Sequence, residues 1–89
     1  MNIIKQKIQA GAAIIDVRSP DEFADGYYQG ARNIPVNSLL GRLGEIGPKD
    51  KPVVVYCASG GRSSVAQAML KANGFVDVTN AGGLGDMPQ

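Results

Sequence analysis

Apolar and polar positions fall in short blocks along this chain, each closed by glycine, proline or asparagine. Ile4 and Ile8 stand four residues apart, the spacing of one helix face, so residues 2–10 are expected to form a short helix that Gly11 stops. The run AAIIDV at 12–17 predicts a buried strand ending at Asp16 and Arg18. Ser19, Pro20, Asp21 and Glu22 then form a capping box with proline at the first helical position, opening a helix over 20–25. A short strand is expected at 31–34, closed by Pro35. Asn37 is placed to cap a helix that turns Leu39, Leu40 and Leu43 to the core and ends at Gly44. Residues 53–56, three of them β-branched, read as a central strand covered on both faces. A helix over 63–73 shows one apolar side, made of Val65, Ala66, Met69 and Leu70, with Asn73 and Gly74 as its stop. A last strand is expected at 75–79, and the tail NAGGLGDMPQ as loop.

Strands separated by helices at this spacing require crossover connections. The fold class is therefore α/β, a mostly parallel central sheet flanked by helices on both faces. Ligands of such sheets bind beyond the carboxyl ends of the strands. Cys57, read as the first residue after the strand at 53–56, stands at the mouth of that crevice.

At 89 residues the chain has the length of one domain, 1–89, so any active site must share residues with the core. Apolar residues are 44% and charged residues 19%, a balance typical of globular proteins. Nine Lys plus Arg against eight Asp plus Glu leave a net charge of +1, scattered without a run or stripe. This argues against nucleic acid or a membrane surface as the main partner. The N-terminal MNIIKQKIQAG lacks the continuous apolar segment of a secretion signal. A cytoplasmic location is expected, or a periplasmic one if a signal was removed before Met1.

The chain has one cysteine and no histidine, which removes an internal disulfide, Cys-His and Ser-His-Asp mechanisms and any ordinary zinc site. Free cysteine is most often a small core hydrophobe. Three features favour a nucleophile here. Cys57 follows the strand, Ala58, Ser59, Gly60 and Gly61 let the backbone turn its N–H groups toward one point, and the helix beginning near Arg62 and Ser63 aims its positive end there. Such surroundings lower a thiol from about 8.5 into a range of roughly 3.5 to 7.5. Arg62 at a helix start is unfavourable unless an anion accompanies it, and the thiolate or a bound substrate is the expected anion.

The motif C-x-x-G-x-R-S after an apolar strand spans Cys57 to Ser63. With it stand Asp16-Val17-Arg18, Glu22-Phe23, the run GARNIP at 30–35, and Gly74-Phe75 through Gly82-Gly83. In this order the segments resemble the rhodanese family of sulfurtransferases over nearly the whole chain, and the short length and NAGGL ending look most like its small phage-shock-type members. The family often has a histidine where this chain has Tyr27, and more basic loops than Ala58 and Ser59 provide.

The resemblance implies a sulfur relay through a Cys57 persulfide, loaded by thiosulfate, a persulfide or a polysulfide and unloaded by cyanide or a thiol, with a protein acceptor as a further partner. Arg62 would neutralise donor or loop charge, and the N–H groups of Ala58, Ser59, Gly60, Gly61 and Ser63 would hold the anionic persulfide. No metal or organic cofactor is implied. A cysteine phosphatase or arsenate reductase ranks lower, since its loop reads C-x-x-x-x-x-R. The loop here is one residue shorter and loses one N–H donor and about 3.5 Å of reach. A non-enzymatic sulfur-carrier or docking module is the rival from another class. Asp16 is expected to bond backbone near the loop, Arg18 to hold the fold in preference to making a second anion contact at the crevice, Tyr27 and Tyr28 to pack, and Asp86 to lie in a mobile tail without an acid role.

Overall fold

The computed structural model describes residues 2–89. Helix α1 (Ile3–Gln9) is capped by Asn2, whose side chain accepts the Lys5 N–H at 3.0 Å, and Gly11 with φ +98 follows its end. Strand β1 is Ala13–Asp16, and helix α2 is Pro20–Ala24. The capping box that opens α2 is complete: the Ser19 hydroxyl accepts the Glu22 N–H, and the Glu22 carboxylate accepts the Ser19 N–H. Strand β2 is Arg32–Asn33, β3 is Val53–Cys57, helix α3 is Gly61–Ala72 and β4 is Val78–Gly83.

The four strands form one sheet in the order β2-β1-β3-β4, every pair parallel. Burial on β3 follows from its central place: all five of its residues are buried, and successive side chains point to opposite faces. Val53, Val55 and Cys57 join Ile15, Ile34, Leu39, Ala66, Leu70 and Phe75 on one face. Val54 and Tyr56 join Ile14 and Met87 on the other, beneath Ile4 and Ile8 of α1. Fully burying a Leu or Ile side chain contributes roughly 1.5–3 kcal/mol, so the two apolar layers supply the main driving force.

The segment after β2 differs from the expected Asn37-capped α-helix. It is a 3₁₀ helix, Val36–Glu45, preceded by Pro35 with no side-chain cap, and it runs past Gly44. At three residues per turn Val36 and Leu39 share a face. A break at Arg42, with φ −129, then shifts the stripe by one residue so that Leu43 and Ile46 continue it. Leu40 falls off that stripe and is exposed, contrary to expectation. Val65 was likewise expected in the core but is exposed. The buried stripe of α3 is Ser63, Ala66 and Leu70, and Val65 lies one residue, about 100°, away from Ala66.

The last strand is also displaced from the expected 75–79. Phe75 is a buried anchor ahead of it, and pairing continues through the glycines that read as loop. The cause is local: β4 passes under the cysteine loop, where a Cβ on Gly83 would overlap the Ala58 carbonyl oxygen. Only glycine permits that approach. Leu84–Asp86 then forms a 3₁₀ turn, and Asp86, expected in a mobile tail, accepts the Gly83 N–H at 2.9 Å while Met87 is buried.

Candidate active site

Cys57 is the last residue of β3 rather than the first after it, and it is 1% exposed. It pairs with Gly83 across an irregularity in the ladder between Val55 and Cys57. There the chain turns sharply through Gly60, whose φ of +101 is open to glycine, and enters α3. The turn folds donors back onto the sulfur. The Gly60 N–H reaches Cys57 Sγ at 3.0 Å and the Ser63 N–H at 3.4 Å, with Ser63 Oγ at 3.3 Å. Burial pushes the thiol up. Hydrogen bonds from the Ser63 hydroxyl, then from the N–H groups of Ser63, Ser59 and Gly60, outweigh it, and the thiol is lowered to about 7.

The Ser63 hydroxyl has one proton and several neighbours that could accept it. Asn80 Oδ1 lies at 2.7 Å, Gly82 O at 3.3 Å and Cys57 Sγ at 3.3 Å. With a neutral thiol, S–H can donate to Ser63 Oγ while the hydroxyl serves Asn80. With a thiolate the hydroxyl can turn to the sulfur, and Asn80 Oδ1 still keeps the Gly82 N–H at 2.9 Å. Asn80 also donates to the Gly60 carbonyl at 3.3 Å, tying the loop to β4.

Of the other expected site residues, Ala58 and Ser59 are exposed, with the Ala58 carbonyl turned toward Gly83. Gly61 opens α3 and is exposed. Arg62 meets neither the thiolate nor open solvent alone. It forks onto Glu22, Nη1 to Oε1 at 2.6 Å and Nη2 to Oε2 at 2.9 Å. The anion that sequence reasoning required at this helix start is thus the carboxylate that also caps α2. Hydrogen bonds from Arg62, then from Ser19, hold Glu22 down at about 2.

Asp16 and Arg18 hold the fold. Asp16 is fully buried and accepts the Arg18 N–H at 2.9 Å and Arg18 Nη2 at 2.6 Å. Arg18 Nη2 also reaches the Gly26 carbonyl at 2.7 Å, and the guanidinium lies 5.7 Å from the Tyr56 ring centre. Tyr27 stacks on Phe23 with ring centres 4.3 Å apart, and Tyr28 packs against the apolar layer that contains Tyr56.

Glu22 and Asn80 are the site residues that sequence reasoning did not assign. Glu22 had a visible signal in the capping box and in its E-F motif, but its partner lies 40 positions away. Asn80 had none, because it read as loop.

A groove opens at the carboxyl ends of β1 and β2, between Val17, the Ser19-Pro20 start of α2 and residues 35–38, and it meets the cysteine loop's side of the molecule at Arg62. Among the described residues no group of His, Cys, Asp and Glu could hold a metal ion, and no helix is long and apolar enough to cross a membrane.

The site is thus a thiol at the carboxyl end of an inner strand of a parallel α/β sheet, in a loop whose hydrogen-bond donors favour its anion without a histidine. The sequence model of the rhodanese-like domain matches residues 1–84, and the chain belongs to the rhodanese-like family. It is 42% identical over 84 residues to YqhL of Bacillus subtilis (strain 168), covering 91% of this chain and 66% of that protein. With the thiosulfate sulfurtransferase PspE of Escherichia coli (strain K12) it shares 40% identity over 74 residues, 82% of this chain and 71% of the relative. A solved E. coli structure, described as a rhodanese with anions, superposes with a TM-score of 0.82 at 38% identity, covering 88% of this chain and 95% of that one. The chain thus spans about two thirds of the two curated relatives and nearly all of the solved rhodanese.

Proposed function

We infer that this rhodanese-family sulfurtransferase moves a sulfane sulfur from thiosulfate, a persulfide or a polysulfide to cyanide or a thiol through a persulfide on Cys57. The observation that carries the reading is the Cys57 sulfur at the end of β3, facing the Gly60 and Ser63 N–H groups and lowered to about 7. The name of the PspE relative supports the same reaction class.

In the first step the Cys57 thiolate attacks the outer sulfur of the donor. The donor S–S bond breaks, and its electron pair leaves with sulfite when the donor is thiosulfate. In the second step cyanide or a thiolate attacks the terminal sulfur of the persulfide and returns the Cys57 thiolate, so no net oxidation of the protein occurs. The loop N–H groups stabilise the negative charge in both the thiolate and the persulfide. They replace the base that the chain lacks.

The loop's length supports sulfur rather than phosphate as the transferred group. Cys57 is 1% exposed, and a single sulfur atom needs less room and fewer donors than a tetrahedral oxyanion. The free thiol suits a reducing cytoplasm, with residues 1–89 acting as one domain. A protein thiol meets the same chemical requirement as a small acceptor.

Thiosulfate plus cyanide should yield thiocyanate, while p-nitrophenyl phosphate stays intact. Cys57→Ser should abolish thiocyanate formation in a protein that still folds. Phosphate release without thiocyanate would reverse the assignment.

A further inference from the structure

Arg62 is the only charged residue from Cys57 to Ser63 and, among the described residues, the only charged one that lines the groove at the carboxyl ends of β1 and β2. A cation there would favour the most highly charged donor, since attraction scales with the charge brought to it. Glu22 cancels that charge. Its two oxygens take the two terminal guanidinium nitrogens at 2.6 and 2.9 Å, and the carboxylate is anchored from behind by the Ser19 N–H and hydroxyl, each at 3.1 Å. Asp16 and Arg18 likewise neutralise each other. The mouth therefore has no net charge before the thiol ionises, and a net negative one afterwards.

We propose that Glu22 is a specificity-determining residue, holding Arg62 neutralised so that the site favours singly charged sulfane donors, the class of persulfides and thiosulfonates, over the thiosulfate dianion. This rests on the sulfur-transfer reading above. Both side chains of the pair are more than a third exposed, so an incoming anion meets the pair in water-screened surroundings. Glu22 disfavours that anion at the same place where Arg62 attracts it, and the opposition doubles for a dianion.

The test compares thiosulfate with methanethiosulfonate, a monoanion carrying the same type of transferable sulfur, with cyanide as acceptor at low ionic strength. Glu22→Gln removes the charge but keeps the capping box, in which glutamine serves as well as glutamate. It should raise kcat/KM for thiosulfate by about tenfold and for methanethiosulfonate by about threefold, because the logarithm of the effect follows donor charge. Both gains should shrink at about 0.5 M salt. Arg62→Gln should shift the donor ratio the opposite way, and Glu22→Gln combined with Arg62→Gln should return it toward that of the unaltered protein. Equal changes for the two donors, or a double variant whose donor ratio stays as far from that of the unaltered protein as that of Glu22→Gln alone, would overturn the proposal. If the unaltered protein transfers sulfur and the ratio does not move, this inference alone fails; if it transfers sulfur from neither donor nor from a polysulfide, the sulfur-transfer reading fails first.

Discussion

Arg18 and Arg62 each end on a carboxylate, yet they belong to different parts of the molecule's physics. Arg18 pairs with Asp16 two residues away, at 2.6 Å, with 9% and 0% of the side chains exposed. Arg62 pairs with Glu22 across 40 residues at the same distance, with 39% and 37% exposed. Identical contact lengths therefore carry different consequences. The buried pair is costly to break, because either partner left alone is an uncompensated charge in a low dielectric. The exposed pair is screened by water and contributes little to stability, but it sets the charge that an approaching reactant meets. Distance measures the bond, and exposure decides its role.

The largest effect should come from the buried pair. Asp16→Asn leaves Arg18 without its countercharge and should destabilise the domain by about 3 to 5 kcal/mol, read from urea unfolding. Stability close to that of the unaltered protein would erase the contrast. The next effect is on activity. The thiolate is the reactive form and the thiol sits at about 7, so kcat/KM should climb about tenfold per pH unit on the acid side and level off above neutrality. Glu22 protonates only near 2, so the mouth pair should add no second step to this profile.

A smaller effect separates neutral donors from the charged pair. Ser63→Ala removes the hydroxyl that favours the thiolate and should slow iodoacetamide alkylation at pH 7 by about fivefold. Glu22→Gln combined with Arg62→Gln should change that rate by less than about twofold, since the two charges already cancel in the unaltered protein. A larger loss in the double variant would mean that the charged pair rather than the loop activates the thiol. The smallest effect should be that of Glu22→Gln on folding, with the thermal midpoint almost unmoved. A marked drop would show that the exposed pair is structural like the buried one.

What the sequence made legible follows the reach of each signal. Capping and punctuation act within a few residues, so α1, α2 and α3 were readable to within one or two positions at most ends. The layered parallel sheet followed from the same spacing, and family motifs pointed to Cys57. Structural roles for Asp16 and Arg18 were readable one by one, but not that the two pair with each other at the strand end. Three features were not readable, each for a physical reason. The 3₁₀ path of 36–45 depends on a break at Arg42, which moves the apolar stripe by one residue. Strand β4 runs through Gly82 and Gly83, which look like loop until the Ala58 carbonyl is seen against them. The Glu22 partner of Arg62 is brought into place only by the docking of α2 beside α3.

The central claim is that the loop around Cys57 makes it a sulfur carrier during turnover, and intact-mass spectrometry tests it most directly. After thiosulfate or polysulfide, the protein should gain one sulfur, about 32 Da, on the peptide containing Cys57, and should lose it on adding cyanide. Cys57→Ser should show no gain. A protein that forms thiocyanate without ever carrying that added mass, or that carries it equally after Cys57→Ser, would contradict the account.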